Sequence, residues 1–228
     1  DLLPAYVEAL RGEKKWQEME QLLKLGKIDP AFPVQKIRLW QAEVQSHLDK
    51  DISRARQTLA RVFEESGRGD NINEALETAA LSEQLNLWDL AQRCYQSLAT
   101  KHPQTRQAML PKIYQMAEYQ HDGATMLQAC SDLLELKPDS VPYLIQKLYL
   151  QMLIGSEIEI ASQNLQTVAI TGSVERMDQI HLIHALSAYR QGRLDEMRAA
   201  VPKITKPESL PPGQRTVYAA FLKLSDGD

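Results

Sequence analysis

Hydrophobic residues recur along this chain at spacings of three and four residues, while the alternation of apolar and polar residues that marks a half-buried strand is nearly absent. Glycine and proline collect in short clusters at intervals, such as DPAFP at 29–33, KHPQT at 101–105 and KPDS at 137–140. These residue types interrupt helices, so we interpret the clusters as connections between helices. The pattern predicts an all-α fold.

One apolar stripe with the spacing i, i+3, i+7, i+10 appears six times. This spacing keeps four residues on one side of a helix. The stripes begin at positions 16, 52, 88, 123, 158 and 194, so successive stripes start 35 or 36 residues apart. Their members are Trp16, Met19, Leu23 and Gly26; Ile52, Ala55, Leu59 and Val62; Trp88, Ala91, Tyr95 and Leu98; Gly123, Met126, Cys130 and Leu133; Ile158, Ala161, Leu165 and Val168; and Leu194, Met197, Val201 and Ile204.

A further amphipathic helix is predicted before each stripe, as in the segment with Leu3, Tyr6, Val7 and Leu10. Two short amphipathic helices cannot bury their apolar faces alone, so such pairs are expected to stack on their neighbours. We predict one repeat domain over 1–228, with a capping helix at 213–224 after six repeats. The predicted repeats span 1–31, 32–67, 68–103, 104–138, 139–173 and 174–207.

The repeat resembles the tetratricopeptide repeat (TPR), a helix–turn–helix unit of about 34 residues. The best match is 181–201, where Ala185 and Ala188 are small, Gly192 lies in the turn and LDEM opens the second helix. Further matching positions are the closing prolines Pro103 and Pro138 and the small residues Ala55, Ala91 and Ala161. Departures are the longer period and the polar residues Glu43, Thr78, His181 and His184 in packing positions of first helices. The resemblance implies an α-solenoid, a right-handed superhelix of about six repeats.

The resemblance also implies a concave groove, lined by the first helices, that holds a peptide or helix of a protein partner. Placing the register on the groove side selects an apolar set with several aromatic residues. A shift of one residue in a first helix would instead put Trp40 and Val44 in the core, so groove and core both stay open for each residue. The predicted groove residues are Ile37, Trp40, Val44, Leu76, Tyr119, Tyr143, Leu150, Leu182, Leu186 and Tyr189.

Candidate chemistry in the sequence is sparse. Asp178, His181 and His184 follow one another at three-residue steps and could present metal ligands, although histidines packed between helices fit the register better. Cys94 and Cys130 fall in or beside packing positions, which favours two buried thiols over a nucleophile. No glycine-rich phosphate loop or other constellation supports catalysis, so we expect no catalytic residue, no metal and no cofactor.

Two arginine-containing turns have simple structural interpretations. The RGD letters at 68–70 lie in a turn, with Gly67 ending a helix and Gly69 within the turn. In AYRQGRLDEMRAAV at 188–201, Arg190 and Arg193 are expected to be solvated turn residues.

Composition narrows the class of partner. The net charge is −4 without a concentrated basic block, so a nucleic-acid partner is not expected. The longest apolar runs, such as that at 149–154, are too short to cross a bilayer. We expect a cytoplasmic protein; a membrane-tethered or envelope location stays open because the chain opens on Asp1 and an upstream segment is expected.

These observations predict a non-catalytic scaffold that binds a protein or peptide partner. Two alternatives stay open: a self-associating structural module of a larger protein, and an enzyme or metal protein that uses His181 and His184. The sequence leaves the oligomeric state undecided.

Overall fold

The computed structural model describes residues 3–24, 32–49, 52–66, 68–171 and 176–226, and in these ranges it confirms the all-α prediction with 13 α-helices and no strand. No helix in the described ranges is long and apolar enough to span a membrane. The helices are α1 (Leu3–Gly12), α2 (Trp16–Lys24), α3 (Val34–Leu48), α4 (Ser53–Glu65), α5 (Ile72–Gln84), α6 (Trp88–Lys101), α7 (Arg106–Tyr119), α8 (Gly123–Leu136), α9 (Val141–Ile154), α10 (Ile158–Thr171), α11 (Met177–Arg190), α12 (Leu194–Ala200) and α13 (Pro212–Asp226).

The six stripes mark the second helix of each predicted pair. Five stripes start at the first residue of α2, α6, α8, α10 or α12, and the stripe at Ile52 starts one residue before α4. The first members are partly or well exposed, whereas the later described members are buried, apart from the partly buried Met126. Gly26 lies outside the described residues. The predicted capping helix is present as α13.

The chain divides into two compact units, Asp1–His121 and Asp122–Asp228. The first contains α1 to α7 and the second α8 to α13, so the boundary separates the two helices of the predicted fourth repeat. Within each unit every helix from α1 to α12 packs on the next, and α3 also contacts α5 while α9 also contacts α11. The single repeat domain and its solenoid arrangement stay predictions.

The same backbone turn recurs where a first helix leads into a second. Lys14, Asn86, His121 and Gly192 all have φ between 56° and 71°, and each lies two residues before its second helix. The N–H of each donates to the carbonyl three residues earlier, at 3.0 to 3.1 Å. This left-handed residue lets a helix end and the chain reverse. The repeat period is therefore visible in backbone conformation as well as in the apolar stripes.

We expect Gly192→Ala to lower the free energy of unfolding by about 1 kcal/mol. At φ 71° an L-residue brings its Cβ close to its own carbonyl oxygen, although the space around Gly192 is otherwise open. Urea unfolding followed by circular dichroism measures the change. The matched control is Gly213→Ala in the first turn of α13, where a Cβ also meets nothing within 4 Å and φ is not positive. Equal losses in both variants would contradict the expectation.

Arg190 corrects an expectation, because it is not only a solvated turn residue. Its Nε donates to the carbonyl of Met152 at 3.1 Å, and Nη2 donates to the carbonyl of Leu153. These carbonyls lie in the last turn of α9, where no backbone donor follows within the helix. A cation at a helix C-terminus also interacts favourably with the helix dipole. Arg190 thus joins α11 to the end of α9.

Candidate functional site

A furrow opens in the first unit between the predicted first helices α1, α3 and α5. Its cavity volume is about 260 Å³. The floor is apolar and consists of Leu39, Trp40 and Leu81, each at most 9% exposed. The rest of the lining is Arg11, Lys36, Glu43, Glu77, Ala80 and Gln84, and these nine residues define the furrow below. An apolar floor with polar groups around it is the usual composition of a binding site.

Two ion pairs cross the furrow from helix to helix. Arg11 on α1 donates from Nε and Nη2 to Oε1 of Glu43 on α3, both at 3.0 Å. Lys36 on α3 donates to both carboxylate oxygens of Glu77 on α5 at 2.8 Å. The Glu43 side chain is only 10% exposed, whereas those of Lys36 and Glu77 are 36% and 46% exposed. The first pair is therefore a partly buried structural contact, and the second is open to exchange with a bound molecule.

A third polar contact continues this arrangement to α7. Lys112 donates to both carboxylate oxygens of Glu83 on α5 at 3.1 Å, and the Tyr95 hydroxyl on α6 donates to Glu83 Oε1 at 2.7 Å. Burial and the neighbouring Glu83 carboxylate raise the pKa of Tyr95, so its hydroxyl remains a donor. Charged pairs thus connect the four first helices of this unit in sequence.

Five of the ten predicted groove residues lie in the core, which corrects their assignment to an accessible surface. Trp40, Val44, Leu150 and Leu186 are 1% to 4% exposed. Trp40 and Val44 belong to an apolar cluster with residues of α1 and α2. These residues of α3 pack on the preceding helix pair, and Trp40 also forms part of the furrow floor. Leu182, the fifth, is fully buried, and a sixth candidate, Ile37, packs against that same cluster.

The remaining four groove candidates are at least partly accessible, and two of them lie in each unit. Leu76 and Tyr143 are partly buried, in different units. Tyr119 is 49% exposed and stacks on Trp88, with the ring centroids 4.4 Å apart. Tyr189 is 42% exposed, and its ring lies 5.5 Å from that of Phe221 on α13. Both exposed tyrosines have aromatic partners within the chain.

Both cysteines are buried and have unreactive thiols. Burial raises the pKa of Cys94 and of Cys130 to about 12, so each is a protonated thiol near neutral pH. A thiolate is the form that attacks electrophiles and binds metals. The thiols are therefore packing residues.

Asp178, His181 and His184 do not converge as metal ligands. The Asp178 carboxylate accepts hydrogen bonds from the backbone N–H of Thr205 at 2.8 Å and of Lys206 at 3.0 Å. In the described part of the chain no three His, Cys, Asp or Glu side chains are grouped to hold a metal ion. His181 and His184 line a separate cavity between α11 and α12.

We expect the stability of the protein to fall as the pH drops below about 6.5, the ordinary pKa of histidine in an unfolded chain. Burial and the nearby Lys203 lower the pKa of His181; burial, His181 and Lys203 lower that of His184. The unfolded state then binds protons first, so stability is complete above that pH and is lost as the pH falls toward the folded pKa values. Urea unfolding at several pH values should show a shallower loss for His181→Gln/His184→Gln than for wild type. Parallel curves would contradict this.

The RGD turn is held against α6. Asp70 pairs with Lys101 at 2.6 Å, and Arg68 pairs with Glu64 at 2.5 Å. Gly69 has φ 97°, and a Cβ there would lie 2.9 Å from the Ser97 hydroxyl oxygen. The turn interpretation of Gly69 is confirmed, while Gly67 lies outside the described residues.

The charged residues of the furrow were missed as site residues, although the sequence carried a signal for one pair. Glu43 occupies a packing position, and a buried carboxylate requires a partner. Arg11 lies on the preceding first helix, 32 residues earlier. A search for opposite charges about one repeat apart would have found this pair.

Comparisons of the chain with protein-family models, with curated proteins and with solved structures found no significant match.

Proposed function

We propose that the chain is a non-catalytic, TPR-like scaffold that binds a segment of a partner protein in the furrow between α1, α3 and α5. The observation that carries the proposal is the furrow itself, with its apolar floor and a rim in which the ion pair of Lys36 and Glu77 is accessible. The inert thiols and the engagement of Asp178 with backbone N–H groups also favour binding over catalysis.

The dimensions of the furrow suit one or two side chains of an extended segment rather than a whole helix face. Its volume of about 260 Å³ is below the range of about 300–1,000 Å³ typical of drug-sized ligand pockets. An apolar side chain would rest on the floor while Lys36 and Glu77 separate to pair with charges on the segment. Exposed ion pairs contribute only about 0–1 kcal/mol, so opening this one costs little.

The test uses the purified chain as bait for a displayed library of random linear peptides. We expect enrichment on wild type and a loss of affinity of about tenfold or more in Ala80→Tyr. Ala80 is exposed and lines the furrow, so a tyrosine there fills the cavity without entering the core. The control is Ala108→Tyr on α7, which is exposed and does not line the furrow. No enrichment, or equal binding to the Ala80 variant, would contradict the proposal.

A charge exchange tests the rim separately. Lys36→Glu/Glu77→Lys keeps an ion pair between α3 and α5 but reverses its direction. Peptides enriched on this variant should carry reversed charges at the positions that meet the rim, because like charges are rejected at an interface. If the same peptide sequences are enriched on both proteins, the ion pair at the rim does not select peptides by their charge.

Self-association is a second candidate, supported by α13. Its residues Leu222 and Leu224 are 38% and 40% exposed, on the last helix of the second unit. Leu222→Lys/Leu224→Lys should abolish any increase of molar mass with concentration in light scattering. A wild-type chain that stays monomeric at high concentration would eliminate this candidate.

A further inference from the structure

A second cavity, of about 330 Å³, lies in the second unit between α11 and the segment formed by α12 and the following 3₁₀ turn Val201–Lys203. Met177, Ile180 and Ala188 give it apolar walls, and its polar lining residues are His181, His184, Lys203 and Glu196. The cavity thus combines apolar walls with two imidazoles, one ammonium group and one carboxylate, and the carboxylate is paired with Arg193. Pockets of about this volume accommodate small ligands.

The positive charge of Lys203 is not neutralised by its surroundings. In the described part of the chain no carboxylate forms an ion pair with Lys203. Two carboxylates at or beside the cavity have other partners: Glu196 pairs with Arg193 at 2.6 Å, and Asp178 accepts the N–H groups of Thr205 and Lys206. Lys203 is an exposed residue of the cavity lining, and its ammonium group has no carboxylate partner among the described residues.

The ring nitrogens of both histidines are also available for hydrogen bonds. No hydrogen bond joins His181 or His184 to another described residue. Burial lowers the pKa of both, and Lys203 adds to this, so both rings are predominantly neutral at pH 7. A neutral imidazole has one N–H donor and one acceptor nitrogen. Two donors and one cation can therefore converge on an acceptor in the cavity.

Asp178 is the positioning residue of this arrangement. Its carboxylate holds the backbone of Thr205 and Lys206, directly after the turn that carries Lys203. Charge-assisted hydrogen bonds of this kind are about twice as strong as neutral ones. The contact fixes Lys203 beside the histidines of α11. It explains why the acid nearest to the histidines in sequence points at backbone instead of completing a metal site.

We propose that this cavity binds a monocarboxylate with a small apolar body, either a free acid or the C-terminal residue of a peptide. The carboxylate pairs with the Lys203 ammonium and accepts N–H groups from His181 and His184, and the apolar body contacts Met177, Ile180 and Ala188. Lys203 is the one lysine or arginine among the described lining residues, and it matches a single negative charge. A metal cation would be repelled by Lys203 and would find two imidazoles without a third ligand among the described residues.

The test titrates the full chain with hexanoate and, as the neutral isostere, with hexanamide. The C2 protons of the five histidines report binding by NMR. We expect hexanoate to shift the His181 and His184 signals and to raise the pKa of both rings, because a bound carboxylate offsets Lys203 and accepts the ring N–H. The other charged groups at or beside this cavity are Asp178, Glu196 and Lys203.

Variants separate a built site from nonspecific binding. Lys203→Met should weaken hexanoate binding by about tenfold or more, because a charge-assisted contact is lost. Lys206→Met is the control, since it removes an exposed lysine of the same segment and keeps its backbone N–H for Asp178. Equal weakening in both variants, or equal binding of hexanamide, would overturn the proposal.

A peptide arm identifies the source of the carboxylate. A short peptide that ends in leucine with a free C-terminus is compared with its C-terminal amide. Binding of the free peptide but not of its amide, with weaker binding of hexanoate, supports a peptide terminus as ligand. Tighter binding of hexanoate supports a free acid. If neither the free peptide nor hexanoate shifts the His181 and His184 signals, the proposal is overturned. The peptide library experiment on the furrow is unaffected by these outcomes, because the furrow lies in the other unit.

Discussion

Arg11→Met is expected to lower the free energy of unfolding by about 3 kcal/mol. The Glu43 side chain is 10% exposed, and Arg11 reaches it from α1 with two guanidinium nitrogens. Without Arg11 the carboxylate of Glu43 lies in a poorly solvated position between helices and has lost its cationic partner. Removing one partner of a buried pair is costly because the remaining charge is uncompensated. Urea unfolding at neutral pH measures the loss.

A double-mutant cycle distinguishes this cause from lost packing. Glu43→Leu should cost less than Arg11→Met, because Arg11 is 34% exposed and retains Glu8 as a partner. The double variant Arg11→Met/Glu43→Leu should recover most of the loss, since no charge then remains buried. The control is Lys36→Met, whose exposed pair with Glu77 contributes only about 0.5 kcal/mol. Equal losses in Arg11→Met and Lys36→Met would contradict this account.

Gln214→Met is expected to stabilise the protein by about 2 kcal/mol. Gln214 is 2% exposed in the first turn of α13, and neither its amide oxygen nor its amide nitrogen has a hydrogen-bond partner among the described residues. Methionine has a similar length and no such groups to desolvate. Thermal unfolding followed by circular dichroism should show a higher midpoint.

Two further substitutions serve as controls for the effect of Gln214→Met on stability. Gln163→Met changes an exposed glutamine on α10 and should alter stability by no more than about 0.5 kcal/mol. Gln214→Glu keeps the shape of the side chain and adds a charge, so it should destabilise. If Gln214→Met is no more stable than wild type, the amide contributes a stabilising interaction and the expectation is wrong.

The second helices were predictable from sequence because each buries one face. The spacing of an apolar stripe then fixes both the start of the helix and the residues that enter the core. Trp88 begins α6, and Ala91, Tyr95 and Leu98 are at most 4% exposed, as their stripe predicts.

The first helices were less predictable because they pack on two sides. α9 contacts α8, α10 and α11. Six of its residues are buried, and five of them are the consecutive residues 148–152, which point to all sides of the helix. With apolar residues on both sides, spacing cannot decide which side meets solvent. Leu150 and Leu186 were therefore plausible groove residues and are core residues in the structure. The pair of Lys36 and Glu77 was unpredictable for a related reason, since it depends on which helix faces Lys36.

The contact of Arg190 with α9 has a consequence for shortened forms of the chain. The last carbonyls of α9 receive their donors from α11, and the hydroxyl of Ser162 on α10 lies 2.8 Å from that of Ser187 on α11. A chain cut before α11 would lose the groups that complete the ends of the previous pair, and it would fray back from the cut. Helix pairs in this unit are therefore not interchangeable modules, and truncation should be planned after α13 rather than between pairs.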